Sequence, residues 1–591
     1  MHKPNITVGC VLPVCALVLC SLTYGLFRNS DAAAAALDPR HLTRQQMRLI
    51  ADRAYDALDR QFTTIDGEEL ADLSFTTRHN RVYITVMRGS EVRCCQSGTM
   101  RESNDRLDSH LDDAAKECAR DDRFGDGKLN ADEMDDAYIT VSFLMNRRPG
   151  SKILSRLKQE FEPGVHGISI ERNGRSVYYK ESVPIHGNYS VEKTLQQICK
   201  KGKLAKNCYE DPETNISLYD AFSFLAGRSG PVTVFERENI PLEIADISSH
   251  MLRERLNLAE QWFLATTGTG GLLRYRYSPS RDTYSSDNNE LRQLATLWAM
   301  TDLAQFLRSD ALTPLIRRSV RHYLDQTICD GTRCHVLPAG EGHIAHSAFL
   351  LLTLVTLPDY PDAAAWSKKI AASIVEQQRD DGSYKIFFND NEDTGMDYYP
   401  GETMLALMTY HAYSGDTNAL ASVERAFPFY RSYWRGNRTT AFIPWHSQAA
   451  LLLYRETRNP EIPPFVFEMN DWLIANHQVS SSPYRDLLGG FRKPIPGCST
   501  SAYLEGLNDA YALAVDTGDS IHQDKYRDAI LAATRFLLTT QYTPENSYYL
   551  KNPKQAVGGF RTSLTDNTQR IDHTQHAVRA LMQLLENDIV Q

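Results

Sequence analysis

The sequence predicts a multidomain chain in which an α/β domain, about 40–235, precedes an all-α domain, about 245–591. Its 591 residues exceed one compact unit at roughly 150 residues per domain. Up to about residue 235, strand-like alternation is interleaved with amphipathic helices. Beyond Ile247, helices of about 15–20 residues follow one another through Gly-rich and aromatic loops, with no convincing strand pairs.

A targeting segment comes first. His2 and Lys3 precede an apolar run from Ile6 to Phe27, then Arg28 and the polar, Ala-rich stretch 31–38. Residues 1–36 read as a signal peptide or a signal anchor. The 22-residue run is long enough to cross a bilayer, although Gly9, Pro13 and Gly25 weaken it as a permanent helix. Either form places the body of the chain outside the cytoplasm, periplasmic or membrane-anchored, with the membrane as partner where the segment stays uncleaved. Lys plus Arg number 64 against 74 Asp plus Glu, a net charge of −10, so nothing draws the chain to phosphate backbones and no nucleic-acid partner is expected. Three of the eleven cysteines (Cys10, Cys15, Cys20) fall in this segment. Of the others, Cys329 and Cys334 can close a short loop and Cys199 and Cys208 flank a basic turn, pairings that an oxidising compartment would permit. No spacing suggests a zinc site, and neither metal nor cofactor is expected.

The first domain opens with a helical stretch that sets Met47, Ile50, Ala54 and Leu58 on one face. RVYITVMRG and DAYITVSFLM alternate as strands do, and HGISIERNGRSVYY reads as a hairpin turning at Asn173-Gly174. In order, RGSEVRCCQSGT (88–99), DDRFGDGKLNADEM (121–134), DAYITVSFL (136–144), FEPGVHGISI (161–170) and TLQQICKKGKL (194–204) resemble the AMMECR1 domain. The resemblance implies an α/β fold over about 180 residues and no settled chemistry. The family's Leu-Arg-Gly-Cys-Ile-Gly signature stands here as Val92-Arg93-Cys94-Cys95-Gln96-Ser97. Cys95, Arg93 and His166 would make a reactive thiolate if they met in one cleft; the plainer reading is a buried thiol and a turn arginine. The loop 122–133 imitates an EF-hand with Asp122, Asp126, Gly127 and Glu133, yet its third position is Phe124, so a helix-ending turn is the better reading than calcium.

Twelve helices are expected in the second domain: 249–265, 286–307, 311–326, 343–356, 361–378, 401–413, 417–433, 442–456, 464–477, 500–516, 521–540 and 573–587. A loop signal repeats among them: Gln378 leads to Gly382 and Tyr384, Gln478 to Gly490 and Phe491, and Gln541 to Tyr548-Tyr549. This Gln-x-x-x-Gly-x-aromatic form resembles the loops of α/α toroids, the closed barrels of terpene cyclases and of many polysaccharide-acting enzymes. The resemblance implies an (α/α)6 toroid with a funnel between its inner helices, suited to an elongated substrate.

Candidate funnel residues follow. Asp397, Tyr398 and Tyr399 precede a helix whose first turn carries Glu402, where the helix dipole alone favours a carboxylate. Glu505 and Asp509 share a face of an otherwise apolar helix at i, i+4, a like-charge spacing that asks for a partner such as Arg292 or Arg570, or else marks an open carboxylate pair with split pKa values. Glu468, Asp471 and Trp472 lie on an apolar helix expected to face inward, and Trp445, His446 and Gln448 on another. Asp572, His573 and His576 begin the last helix, where capping by Asp572 is a simpler reading than a metal pair. Catalysis is expected from Glu505, Asp509, Asp397, Glu402 and Asp572, with substrate binding by Tyr398, Tyr399, His446, Trp445, Arg292, Glu468 and Asp471.

These premises point to an exported cell-envelope carbohydrate-active enzyme, a hydrolase, lyase or epimerase, acting on a polysaccharide. A hydrolase would use two carboxylates, whereas a lyase or epimerase would lean on Tyr, His and Arg around a uronate. A non-catalytic envelope scaffold that grips a glycan or an envelope protein is the alternative. A terpenoid cyclase, suggested by the acidic run Asp390–Asp393, ranks last.

Overall fold

The computed structural model describes residues 38–590, apart from 63–80, 99–106, Asp126, Glu341 and Asn391. Residues 1–36, expected to be a signal peptide or signal anchor, lie outside the described residues.

Helix α1 (Arg44–Asp59) starts at a reciprocal cap between Thr43 and Gln46. Strands β1 (Arg81–Arg88) and β2 (Glu91–Ser97), helix α2 (Leu107–Ala119), strand β3 (Tyr138–Pro149) and helix α3 (Leu154–Glu160) follow. Then come β4 (His166–Arg172), β5 (Arg175–Tyr179), α4 (Ser182–Gly187), α5 (Val191–Lys201), β6 (Asn215–Ala226) and β7 (Thr233–Val234). The strands form one antiparallel sheet in the order β2-β1-β3-β6-β4-β5, with β7 beside β6. The β4–β5 turn has positive φ at both Asn173 (51°) and Gly174 (69°), the conformation that the Asn-Gly pair predicts. Alternation sends Val82, Ile84, Val86, Ile139, Val141 and Phe143 to the face that joins the buried residues of α1 and α2 in one core. Cys94–Cys118 ties β2 to α2, and Cys199–Cys208 joins α5 to the turn that follows it.

The helical part consists of six hairpins, each an outer helix followed by an inner one. They are α6 (Ser249–Thr266) with α7 (Glu290–Leu307), α8 (Thr313–Leu324) with α9 (Ile344–Thr356), and α10 (Ala363–Glu376) with α11 (Tyr399–Ser414). The next are α12 (Thr417–Gly436) with α13 (Phe442–Thr457) and α14 (Ile462–His477) with α15 (Ser499–Thr517). In the last, α16 (Ser520–Thr539) reaches α18 (Ile571–Glu586) past the one-turn helix α17 (Pro553–Ala556). Each inner helix packs on the next, and α18 closes on α7, so the ring is an (α/α)6 toroid. An inner helix is covered on both sides and must be apolar all round: α9 buries Ile344 through Leu354 without a break.

The Gln-Gly-aromatic loops staple this ring. Gln378 Nε2 donates to the carbonyls of Gly382 (3.1 Å) and of Ser422 on α12 (2.7 Å). Gln478 does the same to Gly489 (3.1 Å) and Ala529 on α16 (2.9 Å), and Gln541 to Gly558 and Arg255 on α6 (both 2.9 Å). The aromatic bridging to each Gln is Tyr384, Phe491 or Phe560, so the third staple uses Phe560 and not the expected Tyr548-Tyr549. Each loop thereby fastens its hairpin to the next outer helix.

The α/β unit docks on the end of the ring where the long loops enter the inner helices. Asn188, in the left-handed conformation after α4 (φ 50°), donates to Asp566 (3.2 Å) and accepts from the Asn567 N–H (3.0 Å). Arg237, its side chain sealed from solvent, joins Glu162 of the α/β unit to Asp486 of the ring (2.6 Å to Asp486).

Candidate functional site

The first turns of the inner helices meet at the mouth of the ring, and there the sequence places its most unusual carboxyl. Glu402, on α11, is 5% exposed, and its Oε2 has no hydrogen-bond partner. Burial pushes its pKa up to about 8, so it holds its proton at neutral pH. Next to it on α11, Tyr399 stacks on His343 (ring centroids 4.2 Å), which stacks in turn on His346 (3.7 Å) at the start of α9. The His343 backbone N–H donates to His346 Nδ1 at 3.4 Å, which leaves the other nitrogen of a neutral His346 ring to carry the proton. Burial lowers His343 to about 4 and pushes His346 lower still, so both imidazoles are neutral. His446 on α13 lies against Phe442 (3.5 Å) with Nε2 unpartnered, and burial lowers it to about 3. Gly401 permits this approach of α11 to α13, because a Cβ there would stand 2.8 Å from His446 Cδ2.

Deeper in the ring the walls are aromatic. Trp445 packs on Phe349 (5.5 Å) and on His576 (5.7 Å), and Phe349 on Trp298 (5.9 Å). The Arg579 guanidinium lies 3.5 Å over Trp298. Glu505 is tied to His576 Nδ1 (2.6 Å) and Arg579 Nε (3.3 Å), and Arg579 also pairs with Asp302. The partner that the Glu505–Asp509 spacing asked for is therefore on α18, and it is neither Arg292 nor Arg570. Asp509 accepts from Gln583 (2.8 Å), and burial, reinforced by the Glu505 charge and opposed by Arg579, lifts it to about 7.

Arg292 and Arg570 both hold Asp572, Arg570 through two bonds of 2.6 and 2.7 Å and Arg292 at 3.1 Å. Burial alone would raise the Asp572 pKa, but the Arg570 and Arg292 guanidiniums hold it far below the carboxylate range. It is a fixed anion and not a proton carrier. Asp397 accepts from Tyr433 (3.1 Å), and Tyr398 is exposed at the rim.

Two expected substrate-binding residues are corrected. Helix α14 is outer, so Glu468 and Asp471 leave the funnel: Glu468 pairs with Arg435 at the end of α12 and with Arg438 just beyond it, and Asp471 with Lys525 and Tyr526 of α16. Its apolar face is spent on packing between its neighbours. Arg93, Cys95 and His166 have separate partners. Arg93 pairs with Glu133, the Cys95 thiol accepts from Thr85 (3.3 Å), and His166 Nδ1 accepts from the Glu162 N–H (3.0 Å). Glu133, which would close a calcium loop, is thereby occupied and also completes a cap with Asn130; Asp126 lies outside the described residues. In the acidic run, Asp393 pairs with Arg379 (2.7 Å).

His343, His346, Arg579, Asp302 and Trp298 were missed by sequence reasoning. Only His343-Ile-Ala-His346 carried a local signal, two histidines one turn apart where an apolar helix begins.

Comparison with known proteins separates the two parts. A family model described as AMMECR1 matches residues 45–224. The matched segment lies within the α/β unit. Protein VNG_2543C of Halobacterium salinarum is 26% identical over 66 residues, which are 11% of this chain and 31% of that protein. The chain thus spans about a third of that curated relative's length. The uncharacterized protein PH0010 of Pyrococcus horikoshii is similar over 33% of this chain and 98% of its own, at 19% identity and a TM-score of 0.29. The α-1,6-mannanase GH76A of Salegentibacter sp. HEL1_6 is similar over 57% of this chain and 99% of its own, at 9% identity and a TM-score of 0.43.

Proposed function

We propose that the chain is a carbohydrate-active enzyme that works outside the cytoplasm on a saccharide held in the mouth of the ring, by transfer of protons. The observation that carries this reading is Glu402: a buried carboxyl with one oxygen unpartnered, retained in its protonated form one helical turn from Tyr399, which stacks on the neutral His343. Such a group costs stability and is poised to donate a proton to a glycosidic or carbonyl oxygen. The neutral rings of His343 and His346 supply the complementary base. Tyr398, exposed at the rim, offers an aromatic face against which a sugar ring packs. The ion pairing of Glu505 and Asp572 weighs against a hydrolase that uses them to activate water, and favours lyase or epimerase chemistry. Three disulfides suit the oxidising compartment that an exported chain meets. The test is incubation of the wild type and Glu402→Gln with envelope polysaccharides, followed for unsaturated ends, new reducing ends and deuterium uptake from heavy water. Wild-type turnover that Glu402→Gln loses supports the reading; equal turnover by both overturns it.

A further inference from the structure

Asp572 is one carboxylate between two guanidiniums. Among the described residues it is the one carboxylate that pairs with either Arg292 or Arg570, so the trio keeps a net positive charge. The Arg292 and Arg570 side chains remain 39% and 28% exposed, whereas Asp572 is buried. The trio sits at the mouth: Arg292 and Asp572 are in the first turns of α7 and α18, adjacent inner helices, and Arg570 immediately precedes α18. The Arg292 charge reaches Tyr399 on α11 and tempers the rise of its pKa. Two neighbouring titratable groups, His573 and Cys498, add no negative charge. His573 is neutral, lowered by burial to about 4, and burial keeps Cys498 a thiol at about 11.

From this geometry we infer that the ring's saccharide is acidic, a uronate whose carboxylate is received by Arg292 and Arg570. The inference rests on the proposed function and names its substrate class. A planar carboxylate matches the guanidinium fork, and two such forks spread its charge further than one. The chemistry is then continuous with the imidazoles and Glu402. The C–H bond next to the uronate carboxylate breaks, its proton passes to an imidazole, and the electron pair moves into the carboxylate, where the guanidiniums stabilise the enolate. Return of a proton to the opposite face gives the epimer. Departure of the oxygen substituent one carbon further, taking the Glu402 proton, gives the unsaturated sugar. Both routes balance without an oxidant.

Calorimetry on the full chain tests this with oligosaccharides of glucuronate, galacturonate and mannuronate, each against its own methyl ester. At least one acid form is expected to bind about tenfold or more tighter than its ester, the strength of a charge-assisted contact. Arg292→Gln is expected to remove most of that preference by weakening the acid form far more than the ester. Asp572→Asn is expected to tighten the acid form, since it leaves the guanidiniums unneutralised; a purely structural Asp572 would weaken acid and ester alike. If the esters bind as tightly as the acids and saccharides are still turned over, the acidic subsite is wrong and the proposed function stands. If acids bind selectively with no turnover of any saccharide, the subsite stands and the proposed enzyme activity falls.

Discussion

Glu402 and Glu505 are both buried, but Glu505 has charged partners in His576 and Arg579. Among the described residues no cation pairs with Glu402, and its raised pKa makes it a pH-dependent liability. In the unfolded chain it ionises near 4.5, whereas in the fold it keeps its proton to about 8, so its contribution is fully present below 4.5 and is lost as pH rises toward 8. By pH 7 the loss amounts to roughly 3 kcal/mol. Urea unfolding across pH 4.5–8 should show this slope in the wild type and not in Glu402→Gln; identical slopes would mean that Glu402 is not protonated in the fold. Activity should fall as pH rises through about 8, and should also fall as pH drops toward 4, where His343 gains a proton. Glu505, held by His576 and Arg579, should instead be structural. Its replacement by Ala leaves Arg579 deprived of one of its partners and is expected to cost about 3 kcal/mol or more in chemical denaturation.

At the scale of the element, the staple loops explain why glycine recurs. Gly382, Gly489 and Gly558 have φ of 90°, 82° and 94°, and a Cβ on them would come within 2.3, 2.1 and 1.9 Å of a carbonyl of the next outer helix. Backbone conformation and close approach both require glycine there. Alanine at Gly489 or Gly558 should destabilise by about 3 kcal/mol or more, combining left-handed strain with overpacking. Gly415→Ala is the control: its φ is 74° but nothing lies within 4 Å of the added Cβ. It should cost about 1 kcal/mol. Thermal melts of the three variants decide this, and equal losses would show that contact with the next helix contributes nothing.

The whole molecule joins its two parts through buried polar contacts. Arg237 links Glu162 to Asp486, Asn188 enters the 566–568 turn, and His186 stacks on Tyr549 (4.1 Å). Expressed separately, about 40–235 and 245–591 should give mixed and all-helical far-UV spectra respectively. The ring alone should melt at a lower temperature than the full chain, because Tyr548 and Tyr549 lose their cover. Substantial β-structure in the isolated second half would contradict the division. Non-reducing peptide mapping of the mature protein should recover Cys94–Cys118, Cys199–Cys208 and Cys329–Cys334, with Cys95 and Cys498 open to alkylation under denaturing conditions. Free thiols at the paired positions would remove the argument for export from disulfides.

By itself the sequence determined the features whose cause is local. Helix spans in the ring were legible to within a few residues because apolar periodicity, caps and the Gln-Gly-aromatic loops act within about 20 residues of chain. The Asn173-Gly174 hairpin followed from the backbone freedom of two residues. Tertiary structure alone decided which helices are inner, since α14 is as apolar as its inner neighbours and only ring closure turns Glu468 and Asp471 outward. It also decided what each carboxylate meets. Glu402 looked like an ordinary first-turn acid until α9 and α13 buried it, and Glu505 found its partners 71 and 74 residues away on α18. A side chain's charge state depends on the dielectric and the counter-charges around it, and those are assembled by contacts that no local pattern encodes.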